Sequence, residues 1–352
     1  MTDERNNKPS GSAASAYAAC PGRFYLEKLV PERPTSPYAE SGSRIHAYLG
    51  GEAGPETLTE EELATAERCR AEYEEIRAAL PVQDCEETVL ENRYWYDDLF
   101  SGQIDRIDFF DHGATALVVD WKTGRTAQAS ASENLQLRAY GVLVKKNYPA
   151  IKRMFVAIVQ PLAARFTIAE YDEVDLAHAG AEIVGIMHAV NEPDAPRNPS
   201  PDACKYCSAK AICPEAGSVA REIVAAPVAS VPALSNNDLS DFLEKAQVVE
   251  DFIEAIRAEA KARLKSGQEV PGYKLTAGRT SRSVENLDEV YEKSGLEPYT
   301  FLRACKLSLP SLEKIFAEAK GLKAKEAKAE LETLLADVIT TKTSDQILAR
   351  AK

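Results

Sequence analysis

Apolar positions along this chain follow two rhythms. Between residues 87 and 161 they come in short dense runs. ETVLENRYWY (87–96), SGQIDRIDFF (101–110) and TALVVDWKT (115–123) are rich in Val, Ile and aromatics and are separated by Asp, Gly and His, so they predict three successive strands. RMFVAIVQP (153–161) predicts a fourth, ended by Pro161. Elsewhere the spacing is helical. LTEEELATAERCRAEYEEIRAA (58–79) opens with a Thr-x-x-Glu capping pattern and continues in good helix formers. A further helix is expected over 132–147, between the third and fourth strands. Strands, then a helix, then a strand predict an α/β core with a right-handed crossover. Ahead of it, SAYAACPGRFYLEKL predicts a helix up to Cys20, broken at Pro21-Gly22.

The pattern also divides the chain. Residues 1–13 are polar and rich in Asn, Ser and Gly, and are expected to be disordered. Residues 14–216 carry the α/β pattern and end beyond a Pro-rich loop at 191–203. A low-order stretch, AAPVASVPALSNN, makes 217–237 a linker, and 238–352 reads as a mainly helical C-terminal domain. That domain opens with a long helix, 238–266, whose apolar stripe is Leu239, Leu243, Ala246, Val249, Ile253 and Ile256 and which stops at Gly267. YKLTAGRTSRS is expected to form a strand with a basic turn, followed by short helices including a Lys-rich one at 320–328.

Composition narrows the class. With 352 residues and 45% hydrophobic content the chain can fill one decorated domain or two. No apolar run reaches the roughly 18 residues of a membrane span, and MTDERNNKPSGSAAS lacks the apolar centre of a secretory signal. A cytoplasmic protein without membrane partners is expected. A net charge of −13 argues against a surface coated in basic residues for DNA, although contact with phosphates can be confined to a local groove.

Candidate chemistry concentrates at two strand ends. Asp105 closes one apolar run, and Asp120-Trp121-Lys122 closes the next. Two carboxylates on adjacent strand ends suit a hard cation such as Mg²⁺ or Mn²⁺. Lys122, two residues after Asp120, returns to the same face, where it can orient a water or offset charge on a phosphoryl group. A surface salt bridge would use the same residues. His46 follows Gly42 by four residues near the start of an expected helix, and Gln136 and Tyr140 are one turn apart on another.

Taken in order, Gly42…His46, Gly102…Asp105, Asp120-Trp121-Lys122 and Gln136…Tyr140 resemble the RecB-like branch of the PD-(D/E)XK nuclease superfamily, which includes the AddB nuclease domain and CRISPR-associated RecB-type exonucleases. The resemblance covers about residues 14–216. It implies a mixed central sheet flanked by helices and metal-dependent DNA exonuclease activity. Asp105, Asp120, the Trp121 carbonyl and His46 would bind the metal, Lys122 would act on the attacking water, and Gln136 and Tyr140 would support the site. Glu91, in the preceding strand, is an additional acidic candidate. The rival class is a non-catalytic DNA-binding or assembly module that keeps this fold as a scaffold.

Seven cysteines, an odd count, read poorly as a disulfide framework, whereas Cys204, Cys207 and Cys213 form a tight C-x2-C-x5-C cluster that suits a metal. Thiolates in such a set suit iron-sulfur or zinc, and spacing does not separate them. The resemblance adds Cys20-Pro21 and selects a [4Fe-4S] cluster over zinc. Cys69, Cys85 and Cys305 are expected to be ordinary buried residues. The tail resembles that of a phage and prophage family of uncharacterised proteins. DNA end resection alongside a single-strand binding or annealing protein would follow, and a homo-oligomer is compatible with it. Arg138, Lys145 and Lys146 are candidates to line a DNA channel, and Arg279 and Arg282 to reach phosphates.

Overall fold

The computed structural model describes residues 6–30, 36–82, 84–163, 165–225, 234–276, 287–302, 305 and 308–335. The chain divides into two compact units, Met1–Leu275 and Thr276–Lys352.

The first unit is an α/β structure built on one five-stranded mixed sheet. Its strands are β1 (Glu87–Tyr96), β2 (Phe100–Phe110), β3 (Thr115–Trp121), β4 (Arg153–Gln160) and β5 (Arg165–Tyr171). They lie side by side in sequence order, antiparallel except for the β3–β4 pair. The parallel pair requires a crossover, which α5 (Leu135–Asn147) provides. Both faces of β3 and β4 are covered, which is why these strands read as unbroken apolar runs. Ala116, Val118, Met154, Val156 and Ile158 pack with Leu137, Leu143, Ile183 and Met187 from α5 and α6 (Glu173–Asn191). Leu117, Val119, Trp121, Phe155 and Val159 pack on the opposite face with Ile45 of α3 (Pro37–Leu49) and Ile76 of α4 (Glu60–Ala79). Alternation therefore turns Asp120 toward the α5 side.

The expected capping pattern of α4 is realised, since Thr59 accepts from the Glu62 N–H while the Glu62 carboxylate accepts from the Thr59 N–H. Asp108, fully buried on β2, ties the layers together by accepting from Tyr73 of α4, Thr88 of β1 and Arg106.

Several expectations are corrected. The segment before residue 14 is not free chain throughout: the Pro9 carbonyl accepts from the Ser101 N–H, and Gly11 is buried. Residues 1–5 lie outside the described residues. The sheet gains a fifth strand, β5, followed by α6, which was not expected because its apolar residues are spread around the helix rather than striped. The long helix, α9 (Asn236–Lys265), belongs to the first unit and packs through Val248, Phe252 and Ala255. Leu243, Ile253 and Ile256 of the expected stripe are exposed.

The second unit is helical, with α10 (Leu287–Ser294), α11 (Pro298–Leu302), α12 (Leu309–Lys320) and α13 (Ala324–Leu334). The expected Lys-rich helix at 320–328 is interrupted, because α12 stops at Lys320 and α13 restarts at Ala324. Tyr273–Thr276 are not strand, and the rest of that expected strand, with Arg279 and Arg282, lies outside the described residues. No helix among the described residues is long and apolar enough to cross a membrane.

Candidate functional site

The β2–β3 register pairs Arg106 with Val119, and one further step sets Asp105 opposite Asp120. Both are buried, at 7% and 2% exposure. Asp105 Oδ2 accepts from the Trp121 N–H at 2.7 Å, which fixes that oxygen on the neighbouring strand. Lys122 returns to the face of Asp120, its Nζ 2.9 Å from Oδ2 and hydrogen-bonded to Oδ1 at 3.2 Å. Trp121 alternates to the other face, where its ring meets Tyr73 edge-on at 6.1 Å, so the backbone of Trp121 is what borders the site.

Helix α5 supplies the next layer. Asn134 caps it by accepting from the Gln136 and Leu137 N–H groups, which puts Gln136 in the first turn. The Gln136 amide donates to Asp120 Oδ1 at 2.7 Å and to the Tyr140 hydroxyl at 2.8 Å. The helix can come this near because β2 carries no side chain at Gly102, where a Cβ would lie 2.8 Å from Leu143 Cδ1 and 3.0 Å from Tyr140 Cε1. Gly102→Ala is therefore expected to cost about 1–3 kcal/mol through overpacking, read as a lower midpoint in denaturant unfolding with an unchanged slope.

His46 reaches the same place from α3. It lies in the last turn of that helix rather than near its start, because the helix already begins at Pro37 behind a Ser36 cap. Arg44, two residues earlier, forks onto Glu62 of α4 and holds α3 in place. His46 Nδ1 stands 3.4 Å from Asp105 Oδ1 and 3.6 Å from Glu91 Oε1. Ligand atoms of His46, Glu91 and Asp105 all lie within 4.8 Å of one another, the one such group of three or more acids, histidines or cysteines among the described residues. They border an open cavity of about 470 Å³ together with Gly42, Ser43 and Gln103.

The electrostatics show a site short of positive charge. Burial, with the Asp105 charge, pushes the Asp120 carboxyl up to about 6 against the pull of Lys122. Burial works against a charged His46, yet the neighbouring carboxylates of Asp105 and Glu91 prevail and push it up to about 10. Burial also disfavours charge on Lys122, but Asp120 outweighs it and the amine is held as an ammonium. Even so, Glu91 Oε1 is buried without a hydrogen-bond donor, and Asp120 Oδ2 meets only the Lys122 ammonium. A bare Glu91 oxygen beside an imidazole and the Asp105 carboxylate fits a divalent cation with oxygen and nitrogen donors.

The cysteines form a second assembly. Cys20 ends α1 (Ala14–Ala19), Cys204 sits in α7 (Pro201–Lys205), and Cys213 immediately precedes α8 (Pro214–Ala225). All four thiols are free, and Cys204 feels the charge of both Cys213 and Cys20 while Cys207 feels that of Cys204. Burial pushes the Cys207 thiol up to about 11 and raises those of Cys204 and Cys213. The buried Arg23, from α2 (Arg23–Glu27), donates to the carbonyls of Ala203 and Tyr206, and Glu27 accepts from Ser208. That pair clamps the C-x2-C loop. The Asn198 N–H donates to Cys20 Sγ at 3.3 Å, and Val248 and Phe252 of α9 pack against Cys204 and Cys213. Free thiols from three segments whose charges act on one another fit a metal or cluster bound by sulfur. Of the other cysteines, Cys69 is buried and Cys305 half-buried, but Cys85 is exposed, contrary to expectation, because it precedes the edge strand β1.

Residues 86–352 match the family described as "Protein of unknown function (DUF2800)". The chain belongs to the DUF2800 family. The DUF2800 match opens one residue before β1 and so includes Glu91, Asp105, Asp120, Lys122, Gln136, Tyr140 and the C-x2-C-x5-C cluster, while His46 and Cys20 precede it. Among solved structures, the chain is similar to a "Putative exonuclease" from Eubacterium rectale, with 15% identity over 57% of this chain and 86% of that one and a TM-score of 0.34. It is also similar to SSO0001, with 15% identity over 61% and 88% and a TM-score of 0.28.

His46 and Asp105 meet in one three-ligand group, whose third member is Glu91 rather than Asp120; Asp120 instead gathers Lys122 and Gln136, with Tyr140 behind them. The candidates for a DNA channel are engaged elsewhere: Arg138 pairs with Glu182, Lys145 donates to the carbonyls of Pro149 and Ile151, and Lys146 pairs with Asp97. None of the three lines the cavity beside His46. Gln103 went unnoticed in the sequence. Its amide donates to Glu91 Oε2 at 2.9 Å, and the one available signal was its place two residues before Asp105 on the same strand.

Proposed function

We propose that this protein is a metal-dependent deoxyribonuclease of the RecB-like PD-(D/E)XK type, acting as an exonuclease on DNA ends. The observation that carries the reading is the convergence of Asp105, Asp120, Lys122, His46, Gln136 and Tyr140, from four separate segments, beside a buried Glu91 oxygen that has no hydrogen-bond donor. Asp105, Asp120, His46 and the Trp121 carbonyl would hold Mg²⁺ or Mn²⁺. When bound, the ion supplies charge stabilisation for the phosphoryl oxygens and acidifies water. Lys122, paired with Asp120, orients the attacking water and offsets charge on the phosphodiester. Gln136 holds Asp120 in its rotamer and Tyr140 backs Gln136, leaving the open side of the cavity to the DNA strand.

Cys20, Cys204, Cys207 and Cys213 would hold a [4Fe-4S] cluster that staples the two ends of the nuclease domain. A zinc ion on the same four thiolates is the alternative occupant of the staple. The setting is phage DNA end resection beside a single-strand binding or annealing protein.

The test is digestion of linear and covalently closed circular DNA, single- and double-stranded, by iron-loaded protein with Mg²⁺ or Mn²⁺. Loss of linear DNA alone is expected; survival of every substrate would refute the assignment. Binding of the ion should also register without DNA. Mn²⁺ at 100 times its dissociation constant is expected to stabilise the fold by about 2.7 kcal/mol, seen as a rise in melting temperature that EDTA reverses.

A further inference from the structure

Glu91 is held in an arrangement that a solvated edge-strand residue has no reason to adopt. Its backbone has φ 45°, the left-handed region that a residue with a Cβ seldom enters, and the ladder skips it between Leu90↔Arg106 and Asn92↔Ile104. Its side chain is only 8% exposed. One carboxylate oxygen is fixed: Oε2 accepts from the Gln103 amide at 2.9 Å, and Gln103 in turn accepts from Arg93 at 3.3 Å. The other, Oε1, is buried with no donor and faces His46 Nδ1 at 3.6 Å. The end of α3 makes room for this pose, since a Cβ at Gly50 would lie 2.5 Å from Glu91 Cγ.

We propose that Glu91 is a ligand of the active-site cation, completing a His46–Glu91–Asp105 set, with Gln103 and Arg93 as positioning residues that aim Oε1 at the ion. The proposal rests on the metal site above and deepens it. A buried oxygen left bare beside an imidazole and a second carboxylate is stable when a cation occupies the gap, and backbone strain at Glu91 persists because the tether and the Gly50 contact hold it. An imidazole in the set favours Mn²⁺ over ions that take oxygen alone.

The test is titration of the full-length protein with Mn²⁺, followed by EPR of the free ion and by melting temperature. Glu91→Gln keeps the shape and an acceptor for Gln103 but removes the charge. It is expected to weaken Mn²⁺ binding by at least about tenfold and to abolish most of the Mn²⁺-induced rise in melting temperature, while the metal-free melting temperature stays level or rises as repulsion from Asp105 is relieved. Gly50→Ala, which displaces Glu91 without changing any charge, should weaken binding in the same direction, and it decides the matter alone if Glu91→Gln fails to fold. Wild-type protein that binds Mn²⁺ with both variants matching it would overturn the role of Glu91 and leave the Asp105–Asp120 site standing. Wild-type protein that binds no Mn²⁺ would overturn both.

Discussion

Asp120→Ala is expected to abolish degradation of linear DNA, with a loss of about 10²–10⁴-fold or more in rate, measured as nucleotide release with Mn²⁺ present. Two side chains of the site, Gln136 and Lys122, depend on this one carboxylate. Asp120 takes the Gln136 amide on Oδ1, and its Oδ2 lies 2.9 Å from the Lys122 ammonium. Removing it frees the lysine and the glutamine together and takes away a ligand. Lys122→Ala should reduce the rate comparably yet bind Mn²⁺ at least as well, because it removes a positive charge beside the carboxylates. Equal loss of metal affinity in both variants would contradict that division of labour. DNA digestion by Lys122→Ala at the wild-type rate would count against the enzyme and in favour of a scaffold.

Cys204→Ala is expected to have the largest effect on stability. Linking Cys20 to Cys204 closes a loop spanning most of the nuclease domain, worth about 5 kcal/mol on the chain-entropy account. For a unit of this size that corresponds to a fall of about 10–20 °C in melting temperature, with loss of bound iron and of its colour. Cys85→Ser is the matched control, because Cys85 is exposed and outside the cluster. If Cys204→Ala melted with the wild type, these thiols would be bystanders. Zinc without iron in an anaerobic preparation would keep the staple and change the metal. Arg23→Ala tests the clamp separately: with its guanidinium gone, the carbonyls of Ala203 and Tyr206 lose their donor and the C-x2-C loop loosens, so iron should leave faster on dilution into chelator.

The face of α9 illustrates where local reading stops. A helix with more than one apolar stripe offers several packing faces, and sequence periodicity ranks them by regularity. The protein chose Val248 and Phe252, because what they meet is Cys204, Cys213 and Ala216, residues some thirty positions or more away. Asp105 and Asp108 make the same point within one strand. Both are acids in the run IDRID and both are buried, yet Asp108 is consumed by Arg106, Tyr73 and Thr88 while Asp105 keeps one oxygen for the cavity. Their partners on α3 and α4 separate the two roles.

What the sequence determined by itself is the set of strands β1 to β4, the capped helix α4, the crossover helix and the identity of the residues that meet at the strand ends. Those features are local: a period of two or 3.6, a cap three residues long, an acid closing an apolar run. What only the tertiary structure decided is which oxygens remain bare. That depends on the β2–β3 register setting Asp105 against Asp120, on Gly102 letting α5 bring Gln136 to one of them, and on a strained Glu91 held by Gln103 under Gly50. Each is a contact between segments distant along the chain, and the hydrogen-bond accounting that exposes an unpaired carboxylate oxygen can be done only once those segments are together.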